Sequence, residues 1–432
     1  MTDKRNIAVI GAGISGLCCA YELTKAGYDV TVFEKEDYIG GRMASRVKDG
    51  LPFDIGADHL CNLYEQTIKY CQEFDIKWKK MDFLEYAMFK NGKVIPPEKA
   101  IGWISKMRLA RAYISNRRDC DFFDLSDAAE FDTGNAYDYM RKKAGKDVSD
   151  YFVDSFVSTY QFHGADEISL GALFGVMDSI RNDESKWQLH HMKGEMSALP
   201  EAFADRLHVK KSTEVTKVSP GQPGESGEPV MVETNEGTFQ FDAAILASEA
   251  HQSLKMLENP TEAQKDLLSN SAYATTVSVS FKTNANRLPK ISIVWVSHVQ
   301  SKAISGYVNE SMKGEDLMNG NGETLLNTWL HESFAKKIIN KSDEEIFERV
   351  KEEFVKVCPW VTKETLTNND LQRWPAAMPK FSQGHLTRVD QFLKKGHQGE
   401  NNVYLCGDYM NSPWIEGSIR CGQRTASFVK SS

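Results

Sequence analysis

Three glycines near the start of the chain have the spacing of a nucleotide-binding turn. Gly11, Gly13 and Gly16 follow a short β-rich stretch and precede apolar residues at helical intervals. In such a turn the first glycine allows the tight bend, the second lets backbone amides approach a pyrophosphate, and the third lets the helix pack on the strand. The free N–H groups at the start of the helix then attract the phosphates. The spacing therefore predicts a site for the pyrophosphate of a dinucleotide.

An acidic residue stands where a ribose would lie beside this turn. Glu34 ends a second predicted strand, close to the distance of about 20 residues at which the fingerprint has its acid. Its carboxylate can accept both hydroxyl groups of an adenosine ribose, and its charge disfavours a ribose that carries a 2′-phosphate. The fingerprint alone leaves FAD and NAD open.

The elements that must position these residues form a strand–helix–strand unit. Arg5–Ile10 and Asp29–Glu34 are predicted strands, with a helical pattern between them. Near the other end, Asn402–Cys406 is a predicted strand and Gly417–Phe428 a predicted helix. Nucleotide-type signals at both ends, with unlike material between them, predict one nucleotide-binding domain built from separated segments and a second domain inserted into it. The predicted class is α/β, a Rossmann-like domain of the glutathione-reductase type with an inserted α+β domain.

The same patterns suggest domain boundaries. We expect the nucleotide-binding domain to comprise residues 1–83, 190–259 and 394–432, and the inserted substrate-binding domain to comprise residues 84–189 and 260–393. Within the middle stretch of the first domain, Thr238–Ile245 is predicted as a single strand. In the inserted domain, Ser342 opens a predicted helix of about 15 residues as its capping residue.

Motifs at both ends resemble a single flavoprotein superfamily. Glu34 and Lys35 precede the segment Gly40-Gly41-Arg42, and Asp54-Ile55-Gly56-Ala57-Asp58 follows. Near the other end, Val403–Asp408 has the pattern of a strand that ends in Gly-Asp, and Trp414–Ile419 that of a Glu-Gly turn that opens a helix. These segments resemble the superfamily that contains flavin-dependent amine oxidases, protoporphyrinogen oxidases and phytoene desaturases.

The resemblance implies an FAD site and assigns residues to it. It places Arg42 on the FAD phosphates, a role that its planar, charged side chain suits. The other implied contacts are Gly56 and Ala57 beside the isoalloxazine ring, Asp408 on the ribityl chain, Val215 at the adenine and the backbone of Ile415–Gly417 at the pyrimidine end. No cysteine lies near Met378–Ser382, where some members tether the flavin, so FAD should be held non-covalently. The predicted cofactor-binding residues are Gly11, Gly13, Ile14, Ser15, Gly16, Glu34, Lys35, Gly41, Arg42, Gly56, Ala57, Asp58, Val215, Gly407, Asp408, Ile415, Glu416 and Gly417.

The resemblance also implies a reaction type. Flavoproteins of this kind take a hydride from a substrate carbon and pass the electrons to oxygen or a quinone-like acceptor. Many amine-oxidising members keep a lysine near the ring, and an ungapped placement puts Thr275 or Thr276 there. The leading hypothesis is oxidation or desaturation of a C–H bond in a small, partly apolar organic substrate. The alternatives are an amine oxidase without that lysine, a non-oxidative isomerase that uses the flavin as a transient hydride store, and a redox-silent protein that merely holds flavin.

Three side chains are candidate catalytic residues. By the resemblance, Trp414 corresponds to an aromatic residue over the flavin face, where it could stack on a cationic or a conjugated substrate. His59 follows the flavin-adjacent turn, and His163 lies in a stretch predicted to line the substrate domain. Either histidine could shuttle a proton or orient a carbonyl group, and a structural, hydrogen-bonded histidine is the alternative for each. His190 and His191 are adjacent and have no further ligand nearby, so no metal site is predicted.

Composition restricts the partners. The 432 residues are 41% hydrophobic and 26% charged, with a formal net charge of −8, which is ordinary globular usage and argues against nucleic-acid binding. The eight cysteines show no disulfide spacing, and no uncharged apolar run approaches about 18–20 residues, so a cytoplasmic protein is predicted. Glu98–Arg118 is helical in pattern and basic; it is either a membrane-surface helix or a solvated helix on the substrate domain.

Overall fold

In a computed structural model, which describes residues 5–81, 84–115, 119–179, 187–193, 195–221, 229–314 and 318–432, a five-stranded parallel sheet carries the predicted nucleotide-binding turn. In spatial order its strands are His208–Lys210, Asp29–Phe33, Asn6–Ile10, Ala243–Leu246 and Val403–Leu405. The sheet thus draws on both ends and the middle of the chain. This arrangement confirms the Rossmann-like α/β class, whereas the exact domain boundaries stay a prediction.

The second large sheet has seven strands and mixed direction. In spatial order they are Thr367–Pro379, Tyr273–Asn284, Glu323–Leu330, Ile304–Asn309, Ile291–Trp295, Leu84–Lys90 and Lys93–Ile95. All neighbouring pairs are antiparallel except Ile291–Trp295 with Leu84–Lys90. Helix Asp343–Val357 packs its apolar stripe on this sheet, and the Ser342 side chain accepts from the Glu345 N–H at its start, as predicted.

Smaller sheets and the helices complete the fold. Strands Ser45–Lys48 and Leu51–Asp54 form a two-stranded sheet. A three-stranded sheet has the order Leu60–Cys61, Leu189–Met192 and Trp78–Lys80, and another has the order Val215–Ser219, Val230–Thr234 and Gly237–Phe241. The α-helices are Ile14–Lys25, Glu65–Glu73, Trp103–Ser115, Ala136–Ala144, Lys146–Val148, Asp154–Gln161, Leu170–Ser179, Ala198–Ala204, Ala250–Met256, Glu262–Asn270, Glu332–Ile338, Asp343–Val357, His385–Lys394 and Ile415–Ser431.

One predicted strand is in fact two. The stretch Thr238–Ile245 divides into Gly237–Phe241, in a small antiparallel sheet, and Ala243–Leu246, in the parallel sheet. The break falls at Asp242, whose carboxylate accepts from the Asn6 N–H at 2.6 Å and whose own N–H donates to the Asn6 carbonyl at 2.8 Å. At Asp242 the chain therefore passes from the small antiparallel sheet into the parallel sheet. The apolar–polar alternation of the sequence does not indicate where a strand changes sheets.

The basic stretch predicted as helical contains helix Trp103–Ser115, while residues 116–118 lie outside the described part. Ala112 is buried on one side of the helix, whereas Trp103, Met107 and Ile114 on the other side are 70%, 62% and 70% exposed. These three residues lie within about 40° of one another around the helix axis. In the part of the chain described here, no helix is both long enough and apolar enough to cross a membrane.

Candidate cofactor and substrate site

The turn after the first strand is too tightly packed for a side chain at two of its three glycines. Gly11 has a φ of 108°, and a Cβ there would lie 2.8 Å from the Ala247 carbonyl oxygen. A Cβ on Gly16 would lie 2.2 Å from the Gly11 carbonyl oxygen, so this glycine seats the helix against the turn. A Cβ on Gly13 would meet nothing within 4 Å, because Gly13 borders a cavity. The open space beside Gly13 is where the fingerprint expects the pyrophosphate.

Glu34 holds the turn from behind. One carboxylate oxygen accepts from the Ala12 N–H at 2.8 Å, and the other accepts from the Glu36 N–H at 2.9 Å. Burial raises the pKa of this carboxyl group, and the two backbone donors oppose that rise. A carboxylate has about four acceptor positions, so two remain for ribose hydroxyls. The exposed Lys35 ammonium instead lies 3.6 Å from the Glu36 carboxylate, outside the cavity lining, and any cofactor role for Lys35 stays a prediction.

A cavity of about 1150 Å³, including the part open to solvent, lies between the turn and the seven-stranded sheet. Ten of the predicted cofactor-binding residues line it: Gly13, Ile14, Ser15, Arg42, Gly56, Ala57, Asp58, Gly407, Asp408 and Ile415. The other eight do not: Gly11, Gly16, Glu34, Lys35, Gly41, Val215, Glu416 and Gly417. Three of these eight, Gly11, Gly16 and Glu34, instead fix the conformation of the turn that borders the cavity.

An ion pair joins the two motif-bearing ends of the chain inside this cavity. The Arg42 guanidinium lies 2.6 Å from the Asp408 carboxylate and donates to the Ala377 carbonyl oxygen at 2.8 Å. Burial lowers the pKa of Arg42, but Asp408, Glu249 and Tyr273 together raise it above its ordinary value, so the side chain stays charged. The sequence patterns predicted a cofactor contact for each residue but not their contact with each other.

The last helix points its N-terminus at the cavity. Helix Ile415–Ser431 begins directly after Trp414, and Ile415 and Ser418 line the cavity. Among the described residues no side chain caps this helix, so its first N–H groups and the positive end of its dipole face the site. A Cβ on Gly417 would lie 2.0 Å from the Ser412 hydroxyl oxygen, so this glycine seats the helix rather than touching a ligand.

The Glu416 side chain faces away from the cavity. Its fully buried carboxylate accepts from the backbone N–H groups of Gln66 and Thr67 at 3.0 and 2.9 Å and from the Thr67 hydroxyl at 2.8 Å. The Arg420 guanidinium also donates to it at 2.8 Å. The Glu416 side chain therefore connects the last helix to the start of helix Glu65–Glu73. Only the backbone of Glu416 could make its predicted contact with the cofactor.

An aromatic wall borders part of the cavity. Tyr160, Phe162, Trp329, Trp374 and Trp414 line it. The Trp414 ring packs 5.7 Å from Trp187 and 5.9 Å from Tyr160, measured between ring centroids. The buried indole N–H of Trp414 has no hydrogen-bond partner among the described residues. Trp414 lines the cavity, and its catalytic role stays a prediction.

The two candidate histidines differ in position. His59 lines the cavity, and its Nδ1 contacts the Asp58 carboxylate. His163 is buried outside the cavity lining, with its Nδ1 3.0 Å from the Gly164 carbonyl oxygen. The chain turns sharply at Phe162, whose φ is 70°, so Phe162 lines the wall instead. Burial and the nearby Lys380 lower the pKa of His163 to about 4. Its burial outside the cavity lining favours the structural alternative, and a catalytic role for His163 stays a prediction.

The residues predicted to replace the ring-proximal lysine of amine-oxidising members, Thr275 or Thr276, do not lie at the cavity. The Thr275 hydroxyl donates to the Pro375 carbonyl oxygen at 2.9 Å, and the Thr276 hydroxyl donates to the Leu330 carbonyl oxygen at 2.8 Å. Neither lines the cavity, whereas Ser278 on the same strand does. The pairing of this strand with Thr367–Pro379 shifts register between Ala274 and Thr276, and an ungapped placement cannot account for such a bulge. No lysine lies among the described residues that line the cavity.

These features fit a bound FAD. The open space beside Gly13 leaves room for a pyrophosphate, and the spare acceptor positions of Glu34 can take a ribose. The uncapped N-terminus of helix Ile415–Ser431 favours negative charge on the flavin ring. No cysteine lies among the described lining residues, which agrees with non-covalent binding.

The family model for flavin-containing amine oxidoreductases matches residues 14–429 of the chain. A protoporphyrinogen oxidase of Arabidopsis thaliana is 27% identical over 183 residues, which are 38% of this chain and 34% of that protein. A 4,4'-diapophytoene desaturase of Staphylococcus haemolyticus is 52% identical over 50 residues, which are 12% of this chain and 10% of that protein. The matched part therefore spans about a third or less of these relatives' length.

The fold agrees with the family match. A solved triple mutant of a putrescine oxidase superposes with a TM-score of 0.77 over 99% of each chain, at 16% identity. Because the family match extends over nearly the whole chain, the chain belongs to the flavin-containing amine oxidoreductases, which confirms the superfamily, the flavin cofactor and the oxidoreductase class predicted from its motifs.

Proposed function

We propose that this protein uses FAD to oxidise or desaturate a C–H bond of a partly apolar, uncharged organic substrate. The observation that carries the proposal is the aromatic wall of the cavity. Such a wall binds flat, apolar or conjugated molecules well. FAD supplies the hydride-accepting chemistry when bound, and the protein binds and orients the substrate and excludes water.

The charges of the cavity argue against a cationic amine as the substrate. Its lining includes the carboxylates Asp58 and Asp408. Asp408 is paired with Arg42, and Asp58 contacts His59, so neither is free to hold an ammonium group. Ser278 lines the cavity from the strand on which, by the resemblance, amine-oxidising members keep their lysine. An uncharged substrate avoids the cost of desolvating an unpaired cation.

Trp414 is the residue that we expect to contact the substrate. Its ring lines the aromatic wall beside the start of the last helix, and its N–H can donate to a substrate oxygen or nitrogen. Replacing it with alanine should slow substrate-driven flavin reduction by about 10- to 100-fold, on the scale of lost substrate positioning. FAD content should not change, because the phosphate and ribose contacts lie elsewhere.

The test is anaerobic mixing of the FAD-loaded protein with three substrate panels: polyenes, tetrapyrrole precursors and primary or secondary amines. Bleaching of the flavin absorbance by a polyene or tetrapyrrole would support the proposal, whereas bleaching by amines alone would refute it. The Trp103→Ala variant, changed on an exposed helix face, is the matched control for Trp414→Ala. An unchanged rate in Trp414→Ala would remove Trp414 from the site.

The electron acceptor is the second part of the proposal. We expect oxygen or a quinone-like compound to reoxidise the flavin, with consumption of acceptor equal to substrate oxidised. The isomerase alternative differs here, because an isomerase would convert its substrate without consuming any acceptor. Simultaneous measurement of oxygen uptake and product formation decides between them.

We also propose that the protein touches an anionic membrane surface from the cytoplasmic side. Support comes from helix Trp103–Ser115, whose exposed face carries Trp103, Met107 and Ile114. Lys106, Arg108 and Arg111 accompany them, and this helix has no acidic residue although the chain has a net charge of −8. Apolar side chains among cations suit the boundary of an anionic bilayer.

Cosedimentation with phosphatidylcholine vesicles, with and without phosphatidylserine, tests the membrane contact. We expect binding only to vesicles with phosphatidylserine, and its loss in Trp103→Glu. Val299→Glu is the matched control, because it changes another exposed apolar side chain away from this helix. Equal sedimentation of the two variants would show that this helix does not dock.

A further inference from the structure

A buried group of charged side chains lies directly behind the cavity. The Lys313 ammonium is 2.7 Å from the Glu310 carboxylate, 3.6 Å from that of Asp54 and 3.8 Å from that of Asp58. All four side chains are almost completely buried. One lysine thus faces three carboxylates in a region without solvent, and only Asp58 of the four also lines the cavity.

The group spans the two large parts of the fold. Asp54 ends strand Leu51–Asp54, and Asp58 follows in the flavin-adjacent turn. Glu310 and Lys313 come from the short turn after strand Ile304–Asn309 of the seven-stranded sheet. No sequence motif indicated this group, because Asp54 and Asp58 lie more than 250 residues before Lys313 in the chain, although Glu310 is only three residues away.

Two of the three carboxylates have neutral donors as well. Asp54 accepts from the Ser45 hydroxyl at 2.6 Å, and Glu310 accepts from the Asn327 amide at 2.7 Å. One oxygen of Asp58 contacts His59, whereas its other oxygen has no hydrogen-bond partner among the described residues and faces only the Lys313 charge. The Lys313 ammonium therefore supplies the charge that faces this second oxygen of Asp58.

The electrostatics of the group favour an ionised Asp58. Burial raises the pKa of Glu310 to about 8 and also raises that of Asp54, so these carboxyls resist ionisation. Burial acts the same way on Asp58, but the charge of Lys313 and the interaction with His59 together outweigh it and lower the Asp58 pKa. An ionised Asp58 can only accept a hydrogen bond, so the His59 Nδ1 must donate to it. In the neutral form of the His59 ring, Nε2 is then the nitrogen with a free lone pair.

We propose that Lys313 is a positioning residue that keeps Asp58 ionised and thereby holds His59 with Nδ1–H toward Asp58 and Nε2 ready to accept a proton in the cavity. This role rests on the proposed oxidation. In that reaction one substrate C–H bond would break, and bound FAD would supply the acceptor for the hydride with its electron pair. A neighbouring C–H, N–H or O–H bond breaks, its proton goes to the His59 Nε2, and its electron pair forms the new double bond.

Nitrogen NMR of FAD-loaded protein with ¹⁵N-labelled histidine tests the proposal at pH 7 without substrate. The two ring nitrogens report directly which of them carries the proton, and a His59→Gln spectrum identifies the signals of His59. We expect a protonated Nδ1 and an unprotonated Nε2 in the unaltered protein. A predominantly Nε2-protonated His59 there would overturn the proposal before any variant is made.

The Lys313→Met variant supplies the second arm. Without the ammonium, Asp58 should take up a proton and donate it toward Nδ1, so that at least half of His59 changes to the Nε2-protonated form. Substrate-driven flavin reduction should slow by about 100-fold, the size of a lost general base. Lys351→Met, at another largely buried lysine on helix Asp343–Val357, should leave the ring state of His59 unchanged.

Two further variants separate this role from a purely structural one. Lys313→Arg keeps the positive charge and should keep His59 in the Nδ1-protonated form. If Lys313→Met does not fold, the double variant Lys313→Met with Glu310→Gln removes one of the buried negative charges that the lysine no longer balances. A folded, FAD-loaded variant without the lysine whose His59 keeps the original ring state would refute the proposal. The NMR result needs no turnover, so a failure of the proposed oxidation alone leaves the expected ring state intact.

Discussion

The two sides of the cavity are built by different means. On the cofactor side, backbone geometry dominates, because Gly11, Gly16 and Gly417 permit close approach and helix N-termini supply the charge. On the substrate side, side chains dominate: an aromatic wall, a histidine and a buried lysine behind it. Backbone sites need particular residues at fixed spacing, whereas side-chain sites can draw on any element that the fold brings near. The first kind is therefore visible in a sequence, and the second becomes visible only in the fold.

The largest effect should come from the glycine at which the turn is tightest. Gly16→Ala places a Cβ 2.2 Å from the Gly11 carbonyl oxygen, and we expect it to lower the free energy of unfolding by about 3 kcal/mol or more. Gly13→Ala is the matched control, because its Cβ points into open space; it should unfold like the original protein yet bind FAD more weakly. Chemical denaturation and FAD titration measure both. Equal stability of the two variants would contradict the backbone account.

The next effect concerns the acid behind the turn. Glu34→Ala removes acceptors for the ribose and for the Ala12 N–H, so we expect the FAD dissociation constant to rise by about 100-fold. Lys35→Ala, at the exposed neighbouring residue, should leave it unchanged. Equilibrium dialysis of FAD measures both constants. A fully FAD-loaded Glu34→Ala protein would refute the ribose role.

Glu416→Gln tests whether a motif residue on the cofactor side is structural. The variant weakens the charge-assisted bonds to the start of helix Glu65–Glu73 and to Arg420, so we expect a loss of about 2 kcal/mol in unfolding free energy. FAD affinity should stay within a factor of about 2, because the side chain faces away from the cavity. A folded variant with tenfold weaker FAD binding would place Glu416 in the cofactor site after all.

The smallest effect concerns pH on the substrate side. The pKa of His163 is about 4 in the folded protein, below the ordinary value of 6.5, so the unfolded chain binds more protons as the pH falls through this window. This histidine should therefore cost about 1 kcal/mol of stability between pH 7 and pH 5.5. His163→Gln should remove that part of the pH dependence, whereas His208→Gln, at an exposed histidine, should not. An unchanged pH slope in His163→Gln would show that folding does not lower the pKa of His163.

The sequence allowed much of the cofactor side to be predicted. The turn, the acid at the strand end and the last helix all lie where their spacing indicated, since each follows from local geometry. An ungapped placement could not show that Ser278, rather than Thr275 or Thr276, lines the cavity, because it takes no account of the irregular pairing of strand Tyr273–Asn284. The sequence also did not show that Phe162, which has a positive φ, lines the cavity and that the neighbouring His163 does not.

The Arg42–Asp408 ion pair has a consequence for biosynthesis. The edge strand Val403–Leu405 and the helix after it are translated after the other four strands of the parallel sheet, yet they complete that sheet and contribute to the cavity. A nascent chain that still holds these residues in the ribosomal tunnel exposes the edge of strand Ala243–Leu246 and leaves Arg42 without the Asp408 carboxylate. We therefore expect nascent chains to bind far less flavin before these residues emerge from the tunnel than after.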